Sequence, residues 1–327
     1  MRVLVAGASG ALGRRLVPEL LSRGHEVIGT GRTTATTEVV RRLGAKTAVM
    51  DGLDAASVRE VVAGARPEVI IHQMTSLAGA SDLRHFDRGF ETSNRLRTTG
   101  LDYLIDAGQR VGVSRFIVQS FCGWPYARTG APTKSEAEPL DDSPAPEARR
   151  TLEAIRYQED RVLAIDGAVG IALRYGGFYD VGTGVFDPVF LNQVMKRMAP
   201  IVGGGTGWWS FIHLEDAAIA TADFVTRGRA GIYNVVDDDP SPVKIWLPEL
   251  ARIIGAKAPF SAPAWLVRLL VGEHAANMMT NIRAGSNARI KAELGWAPKY
   301  PSWREGFRAV WSHELDNLSV RPVANVA

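Results

Sequence analysis

The chain opens on the run Arg2-Val3-Leu4-Val5-Ala6, followed at once by Gly7-Ala8-Ser9-Gly10-Ala11-Leu12-Gly13, and no other stretch constrains the fold as tightly. Four apolar residues in a short run predict a buried strand. Leu16, Val17, Leu20 and Leu21 form one stripe and predict a helix over 13–22. Strand, glycine turn and helix in that order bring backbone N–H groups and a helix N-terminus up to a pyrophosphate. Gly7 permits the tight turn, Gly10 lets phosphates approach with no Cβ in the way, and Gly13 lets the helix pack closely on the strand. The loop, Ser9 included, is therefore read as a dinucleotide site, against the plainer alternative of an ordinary β–α turn.

Downstream, strands at 26–30, 46–50, 69–72, 115–120 and 170–175 alternate with helices at 38–43, 55–63, 86–112 and 148–166. That alternation predicts an α/β protein with a doubly wound parallel sheet and helices on both faces. Ligands in such sheets bind at the carboxyl ends of the strands. Residues 127–147 are rich in Pro, Gly, Asp and Glu and read as a long surface loop. After residue 176 prolines break the alternation. We divide the chain into a dinucleotide-binding domain (1–175), a smaller, irregular, mainly helical substrate-capping region (176–315, returning to the first domain near 210–236), and a frayed tail (316–327).

A formal charge of +3 without a Lys/Arg run gives no argument for nucleic acid as a partner. No stretch reaches about 18 uninterrupted apolar residues, so no membrane span is expected. The single Cys122 excludes an internal disulfide and a cysteine-based zinc cluster, and fits a cytoplasmic location. No spacing suggests a metal site.

The second strand runs into Gly31 and Arg32, where NAD-preferring folds place an acid for the ribose hydroxyls. A cation beside a small residue suits a 2′-phosphate, so NADP(H) is expected over NAD(H), with Thr33 adding hydrogen bonds. The plainer reading of Arg32 is a solvated loop charge. Asp51, followed by Gly52 and Leu53, is placed to accept from an adenine amino group or to cap the next helix; Asp54 is read as the cap.

Several segments follow in an order that resembles one family. They are 7–13, Asp51-Gly52-Leu53-Asp54, Val69-Ile70-Ile71-His72-Gln73-Met74, Asn94 through Thr98, and Leu173-Arg174-Tyr175-Gly176-Gly177-Phe178-Tyr179. Phe211-Ile212-His213-Leu214-Glu215-Asp216-Ala217, Tyr233-Asn234-Val235 and Glu293-Leu294-Gly295-Trp296-Ala297-Pro298 complete the series. Together they resemble the extended short-chain dehydrogenase/reductase superfamily, which includes the NAD-dependent epimerases and dehydratases. The resemblance implies a Rossmann-type fold with Ala11 and Leu12 on the pyrophosphate and Gln73 and Met74 along the cofactor. It places Asn94 and Ser120 near the nicotinamide ribose and Gly176 near the ring. It also makes a homodimer through the helices near 86–112 and 148–166 plausible by analogy.

The catalytic pattern of that superfamily is broken. Its members use a Ser or Thr with a Tyr-x-x-x-Lys helix, and counting back from Arg174 puts Thr151 and Ile155 at the Tyr and Lys positions. Tyr157 and Arg161 have the right spacing but read as an exposed i,i+4 pair. The catalytic hydroxyl position falls on Phe121, with Ser120 one earlier on the opposite face. Ser120 is placed to polarise a substrate or to bond backbone; Tyr126 is a candidate donor or a packing residue. Phe121, Trp124, Phe178, Tyr179, Trp208 and Trp209 follow strands or flank the expected pocket and suggest a bulky, flat ligand, though any one of them suits a core. His72 and His213 read as structural. At Trp209 and Gly177 sugar-nucleotide relatives often carry Arg and Asn. The expected activity is NADPH-dependent reduction of a ketone on a bulky aromatic or polycyclic small molecule. The alternatives are a sugar-nucleotide epimerase or dehydratase, and a non-catalytic NADP(H)-binding sensor or partner-binding protein.

Overall fold

The computed structural model describes residues 1–76 and 82–319. In chain order the framework is β1 (Arg2–Ala6), α1 (Ala11–Ser22), β2 (Glu26–Gly31), α2 (Thr34–Arg42), β3 (Lys46–Val49), α3 (Ala55–Ala65) and β4 (Val69–His72). It continues with α4 (Leu101–Arg110), β5 (Arg115–Phe121), α5 (Arg149–Leu163), β6 (Val169–Tyr175), α6 (Leu214–Thr226) and β7 (Gly231–Val235).

The seven strands form one sheet in the order β7-β6-β5-β4-β1-β2-β3, parallel throughout. Val3, Leu4, Val5 and Ala6 are wholly buried because helices cover both faces. On one face α1 and α6 pack Leu16, Val17 and Leu20 against Ala217, Ala220 and Phe224. On the other, Val58 and Val62 of α3, Leu104 and Ile105 of α4 and Val162 of α5 cover Leu4, Ile70 and Phe116. Chain order reverses direction between β1 and β4, and the crevice at their carboxyl ends is where such a sheet takes a ligand.

β7, which begins at a half-buried glycine, was not among the expected strands, although a return of the chain near 210–236 was. The single helix expected over 86–112 is interrupted. Short helices Phe86–Gly89 and Glu91–Arg95 lead into a π-turn, Leu96–Gly100, before α4. The 127–147 stretch is tied down rather than free. Thr133–Lys134 pairs with Ala284–Gly285, and Arg128 meets Asp141 at 2.9 Å. The C-terminal helix Trp303–Ser319 continues past residue 316, where fraying was expected; 320–327 lie outside the described residues.

The rest of the chain builds a third apolar cluster from Tyr179, Phe186, Phe211, Trp246, Leu247, Leu250, Trp303 and Phe307. No helix among the described residues is long and apolar enough to cross a membrane.

Candidate active site

At the end of β1 the glycine loop is built as its spacing demands. Gly7 sits at φ +89, and a Cβ there would lie 2.7 Å from the Gln73 backbone carbonyl. A Cβ on Gly13 would reach 2.3 Å from the Ala8 carbonyl oxygen, so only glycine lets α1 sit this close. Gly10 is different: its Cβ would meet only the Gly7 carbonyl, at 3.4 Å, and otherwise open space. Gly10 is also the N-cap of α1, and no side chain caps that helix among the described residues. Thr30 of β2 holds the loop, its hydroxyl accepting from Gly7 N–H at 3.3 Å and its carbonyl from Ala8 N–H at 3.1 Å. Ala11 and Leu12 offer backbone N–H groups here, with the Leu12 side chain in the core beneath.

A cleft runs from this loop along Gly31, Arg32 and Thr36, then past Gly52 to Gln73, Met74 and Leu96. Arg32 is exposed and pairs with no carboxylate among the described residues. A Cβ at position 31 would lie 2.5 Å from Thr36 Oγ1, so an acid there would require Thr36 to shift. Thr33 is spent on a reciprocal cap with Thr36 at the start of α2. Asp51 Oδ1 accepts from Leu53 N–H, and Asp54 caps α3 through Ala56 N–H.

The floor is set by His72. Its Nδ1 accepts from Met74 N–H at 3.1 Å, so Nε2 carries the proton and donates to the Leu96 carbonyl at 3.0 Å. Burial pushes its pKa down to about 4, and the neutral ring fastens the end of β4 to the π-turn. Gln73 is buried in the cleft wall, its Nε2 3.5 Å from the Tyr175 hydroxyl and its Oε1 without a partner among the described residues. An open glycine cradle at an uncapped helix start, an orphaned amide oxygen and an unpaired Arg32 fit a dinucleotide.

Towards the carboxyl end of β5 the usual catalytic positions are spent elsewhere. Ser120 Oγ donates to Glu159 Oε1 at 2.6 Å, and Glu159 holds Arg174 by two hydrogen bonds of 2.7 and 2.6 Å, all three buried. Tyr126 is wholly buried, donates to Asn234 Oδ1 at 2.7 Å and lies under the Arg174 guanidinium, with burial raising its pKa. Neither hydroxyl is among the groups lining the cleft beside the glycine loop, and each is engaged by a partner within the protein. Thr151 donates to Asp87 Oδ1 at 2.6 Å and accepts from Asn94 Nδ2 at 3.0 Å. Asn94 Oδ1 accepts from Arg97 Nη1 at 3.0 Å, so each end of its amide has a partner within the protein. Ile155 is buried in an apolar cluster with Leu152, Phe86 and Trp124. Tyr157 and Arg161 converge on Asp102, at 2.6 and 2.9 Å. Gly176 packs on the Ser210 carbonyl, where a Cβ would lie at 2.9 Å.

The aromatic candidates separate into two groups. Phe121, Trp124 and Trp209 gather with Phe86, Phe90 and Ile155 in one apolar cluster, a wall of side chains that lies outside the residues lining the cleft. Tyr179 is wholly buried against Phe307 and His213, and Phe178 packs on Tyr175 in the α1/α6 core, so these two build cores instead. Trp208 is half-buried and pairs in register with Pro242. His213 caps α6 through Glu215 N–H. Three residues of this region escaped sequence reasoning. Thr30 and Thr36 carry no motif, and His274 packs on the wall, 4.2 Å from Phe86 between ring centroids, with its Nε2 unpartnered among the described residues.

Comparison with known proteins identifies the family and the fold. The family model described as "NAD dependent epimerase/dehydratase family" matches residues 3–235. A Streptomyces protein named 3-diazoavenalumate denitrifying reductase is 37% identical over 308 residues, covering 94% of this chain and 99% of its own. A Stigmatella aurantiaca protein named 4-hydroxy-2-methyl-3-oxo-4-farnesyl-3,4-dihydroquinoline-1-oxide ketoreductase is 24% identical over 266 residues, covering 79% and 75%. The crystal structure of UDP-glucose 4-epimerase from Thermotoga maritima shares the fold, with a TM-score of 0.76 at 20% identity over 97% of this chain and 100% of that one. The chain belongs to the NAD dependent epimerase/dehydratase family and is a nicotinamide-dependent oxidoreductase within it.

Proposed function

We propose that this oxidoreductase is an NADPH-dependent reductase of a bulky, flat aromatic small molecule, and that the group reduced is a diazo group on the aromatic ring. One observation carries the reading: Ser120, Tyr126 and Thr151 all have their hydroxyls committed inside the protein, and Ile155 has none to give. When bound, the reduced dinucleotide supplies hydride. Hydride added to a ketone creates an alkoxide, which calls for an acid within hydrogen-bond reach. Hydride added to a diazonium cancels a positive charge instead. The nitrogen leaves as N2 and hydrogen stays on carbon, so the aryl diazonium plus hydride balances to arene plus N2 with no net proton.

The name of the Streptomyces relative, a denitrifying reductase of a diazo compound, supports this chemistry. Arg32 beside Gly31 supports NADPH, because an unpaired guanidinium suits a 2′-phosphate. The wall of Phe121, Trp124 and Trp209 supports a flat ring. A ketone on the same kind of molecule is the second reading, favoured by the ketoreductase relative; water or the substrate's own phenol would then provide the proton.

Following cofactor absorbance with purified protein decides between them. Oxidation of NADPH by aryl diazo compounds, with little by polycyclic ketones, is the expected result. Turnover of the ketones alone gives the second reading, and tight NADPH binding with no oxidation by either panel rejects both.

A further inference from the structure

Arg97 is an anomaly in this fold. It sits in the π-turn Leu96–Gly100 with only 6% of its surface exposed. Among the described residues its guanidinium has one hydrogen bond, Nη1 to Asn94 Oδ1 at 3.0 Å, and a flank on the Phe90 ring at 5.8 Å. No carboxylate among the described residues forms an ion pair with it, and residues 77–81, Leu-Ala-Gly-Ala-Ser, contain no acid. The acid linked to it, Asp87, is reached only through Thr151 and Asn94, and is already accepting from Arg150 N–H, Thr151 N–H and the Thr151 hydroxyl. Burial alone pushes the Arg97 pKa down, to about 10, with no anion to lift it.

A buried cation without a counter-ion is costly, and proteins bury charges with a partner. The partner missing here is placed by what surrounds Arg97. Phe90 belongs to the edge of the aromatic wall, and His72, whose pKa the Arg97 charge helps to lower, closes the end of β4 under the cleft. Arg97 thus follows Leu96, which lines the cofactor cleft, and lays its guanidinium against Phe90, which packs on the wall. A guanidinium presents paired N–H donors that match a carboxylate.

We propose that Arg97 is the receptor for a carboxylate on the aromatic substrate, so that the substrate class is an aromatic carboxylic acid. The proposal rests on the reductase reading for the identity of the ligand, and the name of the diazo relative, a carboxylate, agrees with it. The ring lies on the wall, the carboxylate neutralises Arg97, and the reacting group is left towards the cleft.

The test is calorimetry on the full chain saturated with NADP⁺, using cinnamate and cinnamamide as unreactive probes, so that no turnover is needed. Wild type is expected to bind cinnamate at least about tenfold more tightly than the amide, the scale of one charge-assisted bond. Arg97→Met is expected to erase that preference while leaving amide binding and the dissociation constant for NADP⁺ within about twofold; Arg97→Lys should keep part of it. Equal binding of the two probes by wild type, no binding of cinnamate at millimolar concentration, or a loss of NADP⁺ affinity in place of cinnamate affinity overturns the proposal. If Arg97→Met does not fold, the wild-type probe preference and its decline with added salt decide alone. Failure of diazo turnover with the cinnamate preference intact would sink the reaction and leave Arg97 as the carboxylate receptor.

Discussion

The hydroxyl of Ser120 donates to Glu159 Oε1 at 2.6 Å, on the face of β5 that packs against α5. Glu159 in turn clamps Arg174, whose guanidinium covers the Tyr126 ring at 4.9 Å. This buried polar chain ties α5 to β5 and β6 behind the site. It leaves Phe121, the next residue along β5, to join the apolar wall with Ile155. Two positions at which the sequence resemblance implied polar catalytic groups, Phe121 and Ile155, thus share one apolar cluster.

Ser120→Ala is therefore expected to keep turnover within about threefold of wild type, because a general acid would contribute about 10²–10⁴-fold. It should lower stability by about 1 kcal/mol through the lost charge-assisted bond. Steady-state kinetics and urea denaturation on the same preparations check this, and a hundredfold fall in kcat would place Ser120 back at the chemistry.

Glu159→Ala should be far more damaging to stability than Ser120→Ala. It strands Arg174, 3% exposed, whose Nη1 already lacks a partner among the described residues. Removing one member of a buried pair costs about 3–5 kcal/mol. The check is the urea midpoint, expected to fall well below that of Ser120→Ala; equal midpoints would mean that the pair is not sealed from water.

Arg32→Ala should weaken NADPH by about tenfold, the value of one charge-assisted contact at a partly solvated site. NADH binding should stay within about twofold. Fluorescence titration of both cofactors measures it, and equal losses for the two would show that Arg32 does not read the 2′-phosphate.

His72 makes stability depend on pH. Its folded value of about 4 lies below the ordinary 6.5, so between the two the unfolded chain binds more protons. Its contribution is fully present above pH 6.5 and is lost as pH falls towards 4, up to roughly 3 kcal/mol. His72→Gln, which keeps a donor for the Leu96 carbonyl, should show a shallower loss of unfolding free energy between pH 7 and 5. An unchanged slope would mean that His72 titrates normally.

Sequence reasoning reached the sheet because each of its signals was local. Val3 to Ala6 are apolar on both faces, and the three glycines sit where Cβ atoms would collide or would fill the cradle. Its omissions share a different cause. The π-turn at Leu96–Gly100 leaves helical periodicity almost intact, so 86–112 read as one helix. Tyr179 and Trp124 are both large buried aromatics following strands, and only tertiary packing separates the one in the core from the one in the wall. Arg97 carries a charge, and a charged residue in a helical pattern reads as a solvated face. The commitment of Ser120 turned on a partner 39 residues away in sequence.

The most direct test of the account is the pH dependence of kcat with an aryl diazo carboxylate, measured together with the products. The account predicts a kcat without an acidic limb from about pH 6 to 9, because no protein group must deliver a proton as hydride arrives. It also predicts one N2 and one arene for each NADPH oxidised. A bell-shaped profile reporting an essential acid, or NADPH oxidation without release of N2, would contradict it.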